Sequence, residues 1–169
     1  MPSLLLGCGN SRIKKLRPEG RENWVQPLVT MDMNPDCGAD YVWDLEKRPL
    51  PFPDDTFDEM AAYDVLEHIG KQGDWKGFFD EFAEYWRILK PGGMFGIIVP
   101  IERDMLADPG HTRFFHSNHF GFLRQNFYAE NLAEGRAVTD YRWFWKRNFE
   151  LAHYEQIGDH HMAVMLVKA

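Results

Sequence analysis

The 169-residue sequence contains only two cysteines, Cys8 and Cys37, and therefore no set of cysteines that could cross-link a small secreted domain. Disulfide-rich chains belong to oxidising compartments, so this shortage favours a reducing compartment. Uninterrupted apolar runs reach only a handful of residues, whereas a membrane-spanning helix needs about 20. The first residues carry no basic segment and too short an apolar stretch for a signal peptide. We therefore expect a soluble, cytoplasmic protein with no membrane partner.

The sequence also lacks an excess of basic residues, since 19 lysines and arginines stand against 26 aspartates and glutamates, a formal net charge of −7. Surfaces that follow a nucleic-acid backbone are usually basic, so this balance argues against a nucleic-acid partner and favours a small-molecule one. The one basic cluster, between Arg12 and Arg21, is mixed with acids, which is typical of a solvated surface loop. No repeat or linker divides the chain, and its length predicts one domain over residues 1–169. The oligomeric state stays open.

Short apolar runs, most of them ending on an aspartate, recur along the first hundred residues. Buried strands that end on polar side chains are typical of a parallel sheet that presents its carboxyl ends to a ligand. The predicted strands are Ser3–Leu6, Pro27–Met31, Ala39–Trp43, Phe57–Tyr63 and Met94–Val99.

Helical periodicity is clearest between Trp75 and Leu89, where apolar residues recur at steps of three and four. Asp74 is a suitable N-cap, and Pro91-Gly92-Gly93 is expected to end the helix. A second helix is predicted over Asn118–Ala129. Residues 10–26 have weak periodicity and are compatible with a loop or a short helical turn.

Two strand-like runs close the chain, Phe149–Ile157 and His161–Val167, with Gly158-Asp159 as a turn signal between them. This pattern predicts an antiparallel hairpin at one edge of the sheet. Together with the earlier runs, it indicates an α/β fold with a mostly parallel core.

A glycine pair, Gly7 and Gly9, directly follows the first predicted strand, and Asp32 ends the second. Glycines at such a place let the backbone approach a ligand, and a carboxylate at the next strand end can accept both hydrogen bonds from a ribose diol. The combination predicts a nucleotide-type ligand. A nicotinamide-dinucleotide oxidoreductase is disfavoured, because the next glycine is Gly20 and no good helix begins before it.

Six segments stand in order along the first part of the chain: Leu4–Asn10, Thr30–Pro35, Asp44–Leu45, Pro49–Asp58, Asp64–His68 and Trp86–Gly93. Together they resemble the class I S-adenosylmethionine-dependent methyltransferases, and the resemblance covers about residues 3 to 100. The sequence is similar in particular to small members of the family that lack N-terminal helices and often carry Gly-Cys-Gly-Asn in place of Gly-x-Gly-x-Gly. The resemblance implies a Rossmann-like, mostly parallel seven-stranded sheet flanked by helices, with the hairpin at its end.

The same resemblance implies S-adenosylmethionine as the cofactor and assigns residues to it. The glycine loop would lie against the methionine portion and the ribose, Asp32 would hold the ribose hydroxyls, and Asp44 would meet the adenine amino group. The backbone at Tyr63 and Asp64 would face the methionyl ammonium. Asn10 departs from the family, many members of which have a third glycine there. The implied cofactor-binding residues are Gly7, Cys8, Gly9, Asp32, Met33, Asp44, Leu45, Tyr63 and Asp64.

The acceptor is not identified by any motif, so its reacting atom (O, N, C or S) stays open, and so does a non-catalytic binding or scaffold protein of the same fold. A hydroxyl or protonated amine acceptor would need a general base. His68, beside Glu67, and His111 are the candidate catalytic residues, although His68 could instead pack the start of a helix. We assign the segment Ile101–Phe120 to the acceptor side.

Histidines cluster at His111, His116 and His119, a set that could be interpreted as zinc ligands. No cysteine or nearby carboxylate in the sequence completes it. We therefore predict no metal site.

Overall fold

Seven strands form a single sheet in the computed structural model, which describes residues 2–101 and 108–169. Their spatial order across the sheet is 3-2-1-4-5-7-6 when they are numbered along the chain. The strands are β1 (Ser3–Leu6), β2 (Leu28–Asp32), β3 (Tyr41–Val42), β4 (Phe57–Tyr63), β5 (Leu89–Pro100), β6 (Phe149–Ile157) and β7 (His161–Lys168).

Strands β1 to β5 are parallel, whereas β7 runs antiparallel between β5 and β6. The predicted Rossmann-like, mostly parallel sheet with a C-terminal antiparallel hairpin is therefore confirmed. Within the hairpin, Ile157 pairs with His161 at the turn and Phe149 pairs with Lys168 at the open end. Both hairpin strands match their predicted ranges to within one residue.

Helix α1 spans Trp75–Ile88 and confirms the periodicity of the sequence. The side chain of Asp74 caps it by accepting a hydrogen bond from the Gly77 amide at 3.0 Å. The helix ends one residue before its predicted end, because Leu89 is already extended and pairs with Phe57 of β4. As a result Pro91-Gly92-Gly93 lies inside β5 and not between the helix and the strand.

The predicted helix over Asn118–Ala129 is wrong, because the structure has two helices there, α2 (Ser117–Gly121) and α3 (Gln125–Ala133). Contacts with distant residues hold the break between them. The backbone carbonyl of Leu123 accepts hydrogen bonds from the Trp145 indole at 3.0 Å and from the Phe149 amide at 3.1 Å. The Asn148 side chain accepts from the Gln125 amide at 2.9 Å and so caps α3.

The main core lies on the sheet face covered by α1 and α2, where buried residues such as Leu4, Phe82, Phe95 and Phe120 pack together. Leu16 and Trp24, from the crossover of residues 10–26, pack on the opposite face. In the described part of the chain that crossover contains no helix. Of the two structures compatible with its sequence, a loop and a short helical turn, it therefore forms the loop. None of the helices in the described ranges is long and apolar enough to cross a membrane.

A buried ion pair anchors the crossover to the sheet. Lys14 Nζ lies 2.5 Å from Glu59 Oε1 of β4, and both side chains are almost completely buried. Lys14 also donates to the Asn23 carbonyl at 3.0 Å, and the Ser3 hydroxyl donates to the same glutamate at 3.2 Å. The expectation that this basic cluster is only a solvated surface loop is therefore wrong for Lys14.

We expect Lys14→Met to destabilise the protein by about 3–5 kcal/mol, because it leaves the Glu59 carboxylate buried without its cation. The double variant Lys14→Met/Glu59→Leu should lose less, since no unpaired charge remains. Lys15→Met is the matched control, because its ion pair is exposed and worth about 0–1 kcal/mol. Urea unfolding measures all three, and a Lys14→Met variant as stable as the control would contradict the role of this pair.

Candidate functional site

The candidate site lies at the carboxyl ends of β1, β2 and β4. β1 is the turning point of the sheet, because the chain first builds outward through β2 and β3 and then returns to add β4 on the other side of β1. Loops that leave neighbouring strands on opposite sides open a crevice, and ligands of such sheets bind there. Gly7, Asp32 and Asp64 stand at or directly after these three strand ends.

The glycine loop needs its glycines for two different reasons. Gly7 has a φ of +57°, and a Cβ added to it would come within 2.2 Å of the Val65 side chain. Gly9 has a φ of +46°, and a Cβ there would meet no atom within 4 Å. The backbone at Gly9 therefore faces open space, as a loop that approaches a ligand must. Cys8, between the two glycines, is buried.

Asp32 holds the glycine loop against the end of β2. Its Oδ2 accepts a hydrogen bond from the Gly9 amide at 2.8 Å, and its Oδ1 accepts from the Asn34 amide at 2.9 Å. Each carboxylate oxygen has room for a second hydrogen bond. Met33, the next residue, is 71% exposed, so most of its apolar side chain lies at the surface.

Arg12 completes this arrangement and was missed in the sequence analysis. Its guanidinium donates to the Gly9 carbonyl at 2.8 Å and to the Cys37 and Gly38 carbonyls at 3.2 and 2.9 Å. The glycine loop is thus tied to the turn that follows β2. In the sequence, the only indication of this role is that Arg12 lies three residues after Gly9.

Asp44 and Leu45 follow the short strand β3, next to β2. The Trp43 amide donates to the backbone carbonyl of Asp32 at 2.8 Å, which keeps this segment beside the Asp32 loop. The Asp44 side chain accepts a hydrogen bond from the Glu46 amide at 2.9 Å, and Leu45 is buried. The structure therefore places both residues on the β2 side of the crevice.

Asp64 stands at the end of β4 in an unusual backbone conformation, with a φ of +58°. Non-glycine residues rarely adopt this region, and such strain is concentrated at functional sites. Its carboxylate oxygens lie 2.8 Å from Lys15 Nζ and 3.1 Å from His161 Nε2. Burial raises the pKa of the neighbouring Tyr63 to about 12, so its hydroxyl stays neutral and accepts from the Leu16 amide at 3.3 Å.

The two predicted catalytic histidines lie together, with the His68 and His111 rings 4.6 Å apart in an edge-to-face arrangement. Glu67 completes a cluster with them, because its Oε1 lies 3.9 Å from His111 Nε2. Glu67 is almost fully buried, and this desolvation raises the pKa of its carboxyl to about 7, with a further contribution from the charge of Asp64.

His116 and His119 play a different part, since they cap helix α2. The ring of His116 accepts a hydrogen bond from the Asn118 amide at 3.1 Å, and the ring of His119 accepts from the His116 amide at 3.3 Å. The three histidines that the sequence groups together are thus separated, and only His111 joins His68. Residues 102–107 of the segment assigned to the acceptor lie outside the described residues.

Three side chains at the glycine loop and the turn after β2 form a group that could hold a metal ion. One ligand atom each from Cys8, Asp32 and Cys37 lies within 4.8 Å of the others. Burial raises the pKa of the Cys8 thiol to about 11, which disfavours the thiolate that a metal ion requires. The Cys37 thiol donates to the Asn34 carbonyl at 3.1 Å. We therefore interpret this group as part of the structure of the turn after β2 and not as a metal site.

An aromatic cavity of about 210 Å³ opens at the amino end of α1. Because α1 returns from the end of β4 to the start of β5, its amino end lies at the same edge of the sheet as the glycine loop. Arg113 and His119 contribute polar groups to its wall. The aromatic residues that line it are Trp75, Phe78, Phe79, Phe114, Phe115, Phe122 and Tyr141.

Comparison with known proteins agrees with this geometry. The family described as "Methyltransferase domain" matches residues 4–97, more than half of the chain. A probable S-adenosylmethionine-dependent methyltransferase of Mycolicibacterium smegmatis is 33% identical over 70 residues, which are 38% of this chain and 25% of that protein. The chain thus aligns with about a quarter of that relative's length.

Solved structures show the same fold. A SAM-dependent methyltransferase from Archaeoglobus fulgidus superposes with a TM-score of 0.57 at 14% identity, over 99% of this chain and 86% of its own. The N-methyltransferase NodS from Bradyrhizobium japonicum gives a TM-score of 0.58 at 13% identity, over 99% and 85%. S-adenosylmethionine is the cofactor that these comparisons support. The chain belongs to the class I S-adenosylmethionine-dependent methyltransferase family.

Proposed function

We propose that the protein transfers the methyl group of S-adenosylmethionine to a small-molecule acceptor. The observation that carries this proposal is the Asp32 carboxylate, which accepts the Gly9 amide at the turning point of the sheet and still has hydrogen-bonding capacity on both oxygens. We further propose that residues 1–169 act as one methyltransferase-like domain in the cytoplasm. The two cysteines, both free, agree with a reducing compartment.

The cofactor fits this crevice in one direction. The ribose hydroxyls are two donors that match the two Asp32 oxygens, and the exposed thioether of Met33 offers an apolar surface for the adenine beside it. Asp44 and Leu45 then lie on the adenine side, because β3 neighbours β2. The methionine portion extends along Gly7, Cys8 and Gly9 toward the end of β4, where Tyr63 and Asp64 lie.

The chemistry asks little of the protein beyond positioning. The acceptor atom attacks the methyl carbon, the bond from that carbon to sulfur breaks, and the positive charge of the sulfonium disappears, leaving S-adenosylhomocysteine. An acceptor that carries a proton must lose it. We propose His68 and His111 as the catalytic residues on this side of the site, because His68 follows the end of β4, toward which the methionine portion extends, and the His111 ring lies 4.6 Å from the His68 ring.

The aromatic cavity supports an acceptor with an apolar or planar portion. Flat aromatic walls bind such groups, and the polar groups of Arg113 and His119 would orient them. The net charge of −7 argues against a nucleic-acid acceptor. The segment Ile101–Phe120, to which we assign the acceptor, contributes Phe114 and Phe115 to this wall.

Calorimetric titration with S-adenosylhomocysteine tests the cofactor site. Asp32→Ala should weaken binding at least tenfold, because losing a charge-assisted hydrogen bond costs about 1.5–3 kcal/mol. Asp44→Ala should weaken it less, since the adenine also contacts apolar neighbours. Asp36→Ala, on the exposed turn after β2, is the matched control. Unchanged affinity in Asp32→Ala would refute the ribose assignment, and a larger loss in Asp44→Ala would reverse the ranking of the two contacts.

Turnover tests the catalytic assignment. Purified protein and S-adenosylmethionine are incubated with fractions of a small-metabolite extract, and S-adenosylhomocysteine is quantified. His68→Ala and His111→Ala should each lower the rate by about 10²–10⁴-fold without changing cofactor affinity, the range of a lost proton-transfer group. His153→Ala is the control, because that ring is exposed and lies beside Glu155. A protein that binds the cofactor but turns over with no fraction would favour the non-catalytic alternative.

A further inference from the structure

We propose that Glu67, His68 and His111 bind a divalent first-row transition-metal ion of the zinc or manganese type at the acceptor side of the crevice. The proposal goes beyond the methyltransferase function, and the site itself does not depend on that function. The sequence predicts no metal site, because no cysteine or nearby carboxylate completes the set of His111, His116 and His119. The structure brings Glu67 to His111 across 44 residues.

The spacing of the three side chains suits a single ion. One ligand atom from each lies within 4.8 Å of the other two. Two ligands on one zinc ion are separated by at most about 4.2 Å, twice the usual metal–ligand distance. The 3.9 Å between Glu67 Oε1 and His111 Nε2 already falls within that limit, so closing the set requires only small side-chain rotations.

The carboxylate of Glu67 carries a second, independent sign of a missing ligand. Its side chain is 1% exposed, and its Oε2 is buried without a hydrogen-bond donor among the described residues. Buried polar atoms are almost always satisfied, so an orphaned carboxylate oxygen calls for a cation or donor. The charge of the Arg113 guanidinium acts on Glu67, but Arg113 makes no hydrogen bond to Oε2 and donates instead to Glu81 at 2.6 Å and to the Leu66 carbonyl at 3.1 Å.

A backbone contact prepares His68 for coordination. Its Nδ1 lies 3.1 Å from the Gly110 carbonyl oxygen, which can only accept, so Nδ1 carries the proton and Nε2 carries the lone pair. Metal-bound histidines almost always donate their other ring nitrogen in this way. A Cβ at Gly110 would come within 3.1 Å of His68 Nδ1, a tighter contact than most side chains make, so glycine leaves room for the imidazole at this position.

The segment that carries His111 is fixed to the strand-end loop. The Thr112 amide donates to the Glu67 carbonyl at 2.9 Å, and the Arg113 amide donates to the same oxygen at 3.3 Å. The His111 amide donates to the Asp108 carbonyl at 3.2 Å and so closes the turn. The three side chains therefore face one another through backbone hydrogen bonds and not by chance proximity on mobile loops.

The donor set determines the class of ion. Two imidazoles and one carboxylate suit zinc, manganese, cobalt or iron(II), whereas magnesium and calcium prefer oxygen ligands alone. Three protein ligands leave coordination positions open, which is the arrangement of catalytic and not of structural sites. If the proposed function holds, His68 and His111 would act through the ion and not as free bases: an acceptor oxygen would occupy an open position, and the ion would lower the pKa of that hydroxyl group.

Metal titration of the full chain, without S-adenosylmethionine, tests the site independently of any activity. After dialysis against EDTA, we expect ZnCl₂ and MnCl₂ to bind by calorimetry at one ion per chain, and MgCl₂ to bind far more weakly. His68→Ala, His111→Ala and the nearly isosteric Glu67→Gln should each weaken zinc binding at least tenfold. His153→Ala and Cys37→Ser are controls that should bind like the unaltered protein, the second because it removes a ligand of the Cys8–Asp32–Cys37 group.

X-ray absorption of the zinc-loaded, unaltered protein keeps the proposal testable even where a variant fails to fold. Nitrogen and oxygen neighbours near 2.0–2.1 Å support the site, whereas sulfur near 2.3 Å would place the ion at the two cysteines and overturn it. The proposal is also overturned if none of the transition-metal ions binds stoichiometrically, or if binding survives in both His68→Ala and His111→Ala. None of these outcomes depends on cofactor binding, so failure here leaves the proposed methyltransferase function intact.

Discussion

The hydrogen bond from the Gly9 amide to Asp32 Oδ2, 2.8 Å long, joins the ends of the two strands at which we propose that the cofactor binds. It fixes the conformation of the glycine loop and orients the carboxylate, and each carboxylate oxygen can still accept a further hydrogen bond. The Arg12 guanidinium makes the same connection a second time, because it donates both to the Gly9 carbonyl and to the Gly38 carbonyl in the turn after β2. These hydrogen bonds hold the glycine loop through contacts within the chain itself.

The two faces of the sheet are covered in different ways. On one face, α1 contributes a regular apolar stripe to a large core. On the other, the irregular crossover of residues 10–26 packs Leu16 and Trp24 against a smaller group, and the Lys14–Glu59 ion pair anchors it. An irregular segment cannot satisfy its own backbone as a helix does, so side-chain contacts such as that from Lys14 to the Asn23 carbonyl take over part of this task.

The proposed acceptor side gathers groups that a folded core normally avoids. Glu67, with its nearly buried carboxylate, His68 and a strained Asp64 follow the end of β4, and His111 joins them from a later part of the chain. Each has a cost in folding free energy, because burial disfavours a charged group and the left-handed backbone conformation is strained for a residue with a side chain. Such costs are commonly retained where function requires them, and here they coincide with the edge at which open α/β sheets bind ligands.

The sequence by itself determined the parallel strands, helix α1, the C-terminal hairpin and the edge that holds Gly7, Gly9 and Asp32, because each depends on local periodicity or on residues beside a strand end. Tertiary structure alone decided the break between α2 and α3, where Trp145 and Phe149 donate to the Leu123 carbonyl. It also decided the burial of Lys14 and the meeting of Glu67 with His111. These contacts join residues far apart in the chain, so only the folded packing could reveal them.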